Sequence, residues 1–193
     1  MGKGKKKRKK AEKAAKAARK VVKLRAVKKK AAGKPAKKVP AVPAGQRTAT
    51  PYLTVLDGAG AIAFYKRAFG AKEKLRLATP EGRIMHAEIQ IGDSMIFLSD
   101  EFPGADTQSP AALGGTSASI HLAVRAVDKA YAQAVEAGCT GLMAPVDMFW
   151  GDRFGKVKDP FGHSWSMGQH IEDVPPKEIM KRAAAMFPPP PAA

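Results

Sequence analysis

Residues 52–55, Tyr-Leu-Thr-Val, are answered 69 positions later by His121-Leu122-Ala123-Val124. Each stretch leads into a helical run that stops at a glycine, Gly70 in the first case and Gly138 in the second. A repeat this long and this faint marks two copies of one supersecondary unit, neither of which can bury its apolar face alone. Hydrophobic periodicity orders the elements as β-α-β-β-β, a loop, then β-α-β-β-β. The expected class is therefore α+β, with two βαβββ modules forming one curled, pseudo-symmetric mixed sheet.

The first module begins with an alternating strand over 51–56. Asp57-Gly58 marks a turn or helix cap, and 59–69 is helical, with Ile62, Tyr65 and Phe69 on one stripe. Gly70 suits the left-handed position that ends a helix. Residues 72–78 read as a charged edge strand, and Pro80-Glu81-Gly82-Arg83 as a turn. The strand 84–91 alternates, with Met85, Ala87, Ile89 and Ile91 on one face and His86, Glu88 and Gln90 on the other. A turn at Gly92-Asp93 leads into 94–99. The Pro/Gly/Ser-rich stretch 100–115 is the seam, followed by a strand over 117–124 and a helix over 127–137. A short helix over 175–186 has proline in its first turn, and 188–191 is a polyproline end.

Between 148 and 165 the chain reads M-F-W-G-D-R-F-G-K-V-K-D-P-F-G-H-S-W and holds both tryptophans, Trp150 and Trp165. A strand over 154–158, a turn at Asp159-Pro160-Phe161-Gly162 and a return over 163–167 make a hairpin. Its aromatic content, with Asp152 and Arg153 at the tip, reads as the edge of a pocket. The competing reading is a packed hairpin whose charges only hold the turn.

Charge is distributed unevenly. The chain carries +17, yet residues 1–38 alone hold 19 Lys and Arg against the single acid Glu12. The remainder is close to neutral, with 15 basic and 16 acidic side chains. Residues 11–32 are rich in Ala and Lys and can become helical once their charge is neutralised. Alone they repel and lack a core-forming face. Pro35, Pro40 and Pro43 make a linker to about Arg47. In composition this stretch resembles the tails of linker-histone-like proteins. Lysine clusters bind phosphate backbones by releasing counterions, without reading sequence. The expected nucleic-acid contacts are Lys5, Lys6, Lys7, Arg8, Lys9 and Lys10, with Lys28, Lys29 and Lys30. A solvated tail, or one that meets acidic proteins, is the plainer alternative. The one cysteine, Cys139, allows no intramolecular disulfide. No apolar run reaches the ~20 residues of a membrane helix, and the charged start lacks the apolar segment of a secretory signal.

Four pieces, T-P-Y-L-T-V (50–55), A-F-Y-K-R-A-F-G-A (63–71), I-M-H-A-E-I-Q-I-G-D-S (84–94) and M-F-W-G-D-R-F-G…D-P-F-G-H-S-W-S (148–166), resemble the vicinal oxygen chelate superfamily. This is also called the glyoxalase/bleomycin-resistance/dioxygenase fold, and the nearest likeness is to its PhnB-like branch. The resemblance divides the chain into a basic tail and linker (1–47), a domain (48–173) with modules at about 50–99 and 117–167, and a C-terminal helix with a Pro-rich end (174–193). It implies that each module curls its sheet into a cup. Parity then sends Leu53, Val55, Ile89, Leu122 and Val124 to the helices, and Tyr52, Thr54, His86, Glu88, Gln90 and His121 to the cup.

Enzymes of the superfamily hold a divalent metal there, on a His or Glu of each module's first strand and a carboxylate on its last. Here His121 takes one first-strand position but Tyr52 takes the other, and Ser166 stands where the carboxylate belongs. No cofactor is assigned, and His121, His86 and Glu88 are the weak metal candidates. His163 and His170 are not expected to be ligands, and no nucleophilic arrangement stands out. The expected ligand site is Tyr52, His86, Glu88 and His121 with Trp150, Asp152 and Arg153. The resulting expectation is a small-molecule-binding, glyoxalase-like module with a nucleic-acid-binding tail. It is expected to be a homodimer, without a membrane partner, and cytoplasmic with nucleoid association, or nuclear in a eukaryote. Whether it catalyses a reaction is left open. The alternatives are a metal-dependent lyase, isomerase or dioxygenase, and a DNA-anchored accessory protein whose domain mainly dimerises.

Overall fold

Two glycines and two aspartates decide how the first module starts. The Asp57 carboxylate accepts a 2.8 Å bond from the Gly60 N–H and opens helix α1 (Gly58–Phe69). A side chain at Gly58 would press on Ile84 at 2.7 Å, so the helix start lies directly on the sheet. The buried Asp100 carboxylate accepts from the N–H groups of Gly58 and Ile84, each at 2.6 Å. It thus satisfies a free amide at the helix start and one at a strand start. Gly70 closes α1 with φ 65°. The second module repeats the device 69 positions later, where Gln169 accepts from the Val127 N–H at the start of its helix.

The computed structural model describes residues 39–43 and 45–187. The lysine clusters at 5–10 and 28–30, the helix expected over 11–32 and the polyproline end at 188–191 lie outside them. The chain divides into one unit, Met1–Pro43, and a second, Ala44–Ala193, to which every strand and helix of the described residues belongs. The first module of this second unit is β1 (Tyr52–Val55), α1, β2 (Lys72–Ala78), β3 (Ile84–Ile91) and β4 (Ser94–Asp100). The expected 100–115 loop contains a short helix, α2 (Pro110–Leu113), which Ser109 caps. The second module is β5 (Ser119–Ala123), α3 (Val127–Ala137), β6 (Thr140–Asp147), β7 (Asp152–Lys158) and β8 (Ser164–His170). Helix α4 (Pro176–Met186) ends the described chain. Among the described residues no helix is long and apolar enough to cross a membrane.

The α+β class with two βαβββ modules is as expected, and the strands divide between two sheets. Sheet 1 runs β1-β4-β3-β2 and sheet 2 runs β5-β8-β7-β6, each with one parallel pair, β1 with β4 and β5 with β8. One face of each sheet enters a shared core. Leu53, Val55, Ala87, Ile89 and Leu98 come from sheet 1, and Val157, Trp165 and Met167 from sheet 2. Helices α1 and α3 lie in that core against each other, with Gln133 of α3 donating to the carbonyls of Arg67 and Ala68 on α1. The other face of each sheet points away from that core.

One buried carboxylate ties the halves together. Asp159 of the hairpin turn accepts from Tyr65 Oη of α1 and Trp165 Nε1 of β8, each at 2.8 Å. It also accepts from the backbone of Phe161 and His163. Burial, followed by this carboxylate, pushes the Tyr65 hydroxyl well above its ordinary value. One parity expectation is corrected. Met85 is half exposed while Ile84 is buried, because the pairing steps from Leu77–His86 to Ala78–Ile84 and leaves Met85 as the extra residue of a bulge.

Candidate functional site

On the outward face of sheet 1 the register aligns Tyr52, Phe97, Glu88 and Leu75 in one row across β1, β4, β3 and β2. Tyr52 Oη lies 2.9 Å from His86 Nδ1, and His86 Nε2 lies 3.5 Å from a Glu88 oxygen. Phe97 backs both rings, with centroids 5.9 Å from Tyr52 and 5.1 Å from His86. The result is a phenol–imidazole–carboxylate chain on an apolar floor, with Tyr52, Leu75 and Leu77 left partly exposed.

The equivalent row on sheet 2 is His121, Ser166, Lys156 and Met143. His121 Nδ1 meets Ser166 Oγ at 2.9 Å, and its ring lies parallel to that of Phe154, 12° between planes and 6.1 Å between centroids. A Cβ at Gly168 would come within 2.9 Å of the imidazole, so the absent side chain leaves the slot in which His121 sits. Trp150 packs edge-on against Phe154 at 5.8 Å and donates its indole N–H to Asp152 Oδ2. The other oxygen of Asp152 meets His170 Nδ1 at 2.9 Å. Lys156 stands with its ammonium 5.9 Å from the centroid of the Phe154 ring.

Six of the seven expected ligand residues thus reach outward faces, but on two different sheets. Tyr52, His86 and Glu88 share one, and His121, Trp150 and Asp152 share the other. The register does not join the two groups in one row, because β1-β4-β3-β2 and β5-β8-β7-β6 are separate sheets. Arg153 lies apart from both groups. Successive strand residues alternate sides, so Arg153 lies opposite Asp152 and turns toward the start of α3. Its Nε and Nη2 donate to the two oxygens of Asp128 at 2.8 Å each, and its Nη1 donates to Asp147. That pairing holds the Asp128 carboxyl below its usual range and raises the guanidinium further. Phe154, Lys156 and Gly168 were missed, although alternation from Asp152 puts Phe154 and Lys156 on its face.

The remaining candidates are structural. His163 Nε2 meets the Thr54 carbonyl at 3.2 Å, and burial lowers its pKa. His170 was expected beyond the last strand and is instead the final residue of β8, bridging Asp152 and Asp173. Burial pushes the Cys139 thiol up to about 12, which leaves no reactive thiolate at neutral pH. The divalent metal implied by the resemblance does not fit these donors. Sheet 2 offers one imidazole beside a serine hydroxyl, and on sheet 1 the His86 imidazole already lies between the Tyr52 phenol and the Glu88 carboxylate, so neither face gives three His, Cys, Asp or Glu donors around one point. Among the described residues no group of three His, Cys, Asp or Glu could hold a metal ion.

The glyoxalase/bleomycin resistance protein/dioxygenase superfamily model matches residues 47–167, spanning both modules. The chain belongs to this superfamily. A relative from Mycobacterium bovis, an uncharacterized protein, is 44% identical over 133 residues, covering 67% of this chain and 88% of its own. Among solved structures, a gene product of Arabidopsis thaliana is 28% identical with a TM-score of 0.52, covering 63% of this chain and 98% of that one. A PhnB protein from Bacillus cereus is 17% identical with a TM-score of 0.50, covering 64% and 99%, a likeness of fold alone. In this glyoxalase-superfamily chain the first-strand positions are Tyr52 and His121, and the last-strand positions beside them are Phe97 and Ser166.

Proposed function

We propose that the protein binds a small molecule between the outward face of sheet 1 in one copy and the outward face of sheet 2 in a second. It would do so as a homodimer, as a PhnB-like member of the superfamily, and without the usual catalytic metal. The observation that carries this reading is the splitting of the site. Tyr52 with Phe97 and His121 with Ser166 occupy the same position in the two modules, on two separate sheets. A two-fold dimer places each face against its counterpart twice, which is how isologous contacts close. Apolar area with a few convergent polar groups is the usual make-up of a ligand pocket. Sheet 1 offers Tyr52, Leu75 and Phe97 around the His86–Glu88 pair, and sheet 2 offers Trp150 and Phe154 around His121. The tail, Lys5 to Lys10 and Lys28 to Lys30, would hold nucleic acid through phosphate contacts, keeping a cytoplasmic protein at the nucleoid.

The test is solution mass with metal analysis and a ligand screen on the same sample. We expect a dimer at micromolar concentration, no stoichiometric metal, and ligand binding lost in both Tyr52→Ala and Trp150→Ala. A monomer that binds ligand would sink the shared site. Stoichiometric metal lost in His121→Ala would favour a metal-dependent lyase, isomerase or dioxygenase.

A further inference from the structure

The two outward faces differ in charge at equivalent positions. Glu88 pairs in register with Phe97 on sheet 1, and Lys156 pairs with Ser166 on sheet 2, where Phe97 and Ser166 are 69 positions apart. One module therefore presents a carboxylate where the other presents an ammonium. Glu88 is already engaged by His86. Lys156 forms no ion pair among the described residues; its nearest described partner is the π face of Phe154. Lys158, two residues further along β7, points to the same side and is also exposed.

The acids of this region do not compensate for these cations. Asp147 and Asp128 are taken up by Arg153 toward α3. Asp159 is buried under four donors. Asp152 is shared by Trp150 and His170. Beside Lys156 stands a wall of flat rings, His121 parallel to Phe154 and Trp150 edge-on to it. Such rings bury large area at specific geometry, and an ammonium next to them is a charge-assisted donor for an anion.

We propose that the outward face of sheet 2 selects a planar aromatic ligand bearing an acidic group, with Lys156 receiving the anion and Trp150, Phe154 and His121 receiving the ring. This names the ligand class for the small-molecule site above and rests on that reading. The probe pair is 2-naphthoate and its neutral isostere 2-naphthamide, titrated by calorimetry into the full-length protein. Lys156→Gln, Lys156→Arg and Trp150→Ala are measured beside it. All four proteins keep the same basic tail, so its general attraction for anions cancels in the comparison.

We expect naphthoate to bind at least tenfold tighter than naphthamide, the preference to vanish in Lys156→Gln and to survive in Lys156→Arg, and both probes to weaken in Trp150→Ala. A preference unchanged in Lys156→Gln overturns the assignment of Lys156. If both probes bind equally and Trp150→Ala abolishes both, the pocket stands and only its anionic specificity falls. If neither probe binds, this inference is overturned and the aromatic wall is not a ligand site.

Discussion

At the residue scale, two positions on sheet 2 allow direct tests. His170 sits between Asp152 and Asp173, whose hydrogen bonds raise its pKa above the ordinary imidazole value. A group with a raised folded pKa contributes stability that is complete below its unfolded value, near 6.5, and lost as pH rises through the folded one. We expect NMR titration of His170 to give a pKa above 6.5 that falls back in Asp152→Asn, with the segment after β8 exchanging its amides faster at alkaline pH. Gly168 makes the second test. Its backbone suits a strand, and a Cβ there meets only the His121 ring. Gly168→Ala should leave circular dichroism and Tm nearly unchanged while displacing the His121 ring and its proton resonances. Unshifted His121 resonances would show that the slot is not set by that missing side chain.

At the element scale, the hairpin β7–β8 is anchored from below by Asp159. Removing one partner of a buried hydrogen bond costs the desolvation of the group left behind. Tyr65→Phe removes a donor and leaves the carboxylate three others, so its expected cost is about 1–2 kcal/mol. Asp159→Ala strands the buried Trp165 indole and Tyr65 hydroxyl together, and should cost about 3–5 kcal/mol, enough to threaten folding. Urea midpoints at constant m-value measure both. Equal costs for the two variants would mean that the turn, rather than the carboxylate, positions the hairpin. Arg153 belongs to this scale too. It clamps β7 to the start of α3 through Asp128, a contact between two elements.

At the scale of the whole molecule, the tail and the domain are separable by composition. Nearly all the excess charge lies in residues 1–38, and the domain is close to neutral. Phosphate neutralisation loses affinity steeply as salt rises. We expect the full chain to bind duplex DNA of any sequence, with an affinity that falls over ten-fold between about 50 and 200 mM salt. A chain beginning at Thr48 should bind none. Equal binding by the two would assign the nucleic-acid contact to the domain.

The sequence by itself determined the class, the two modules, the position of nearly every strand and helix, and the side of the strand on which Tyr52, His86, Glu88 and His121 lie. Those features follow from local rules: period-2 alternation, glycine stops, and a repeat that sets Tyr52 against His121. Alternation also separates the two charged residues that open β7. Asp152 and Arg153 are neighbours in sequence, so strand geometry puts them on opposite faces, and Arg153 pairs with Asp128. The bulge at Met85 and the bond from Tyr65 to Asp159 were beyond local rules, since each depends on a partner brought close only by folding. The tertiary structure also decided the largest point. Apolar faces on both helices and both sheets can be buried in one continuous sheet or in two sheets closing over the helices, and periodicity is the same in either. Packing α1 against α3 in a common core selects the second arrangement, and it divides Tyr52, His86 and Glu88 from His121, Trp150 and Asp152.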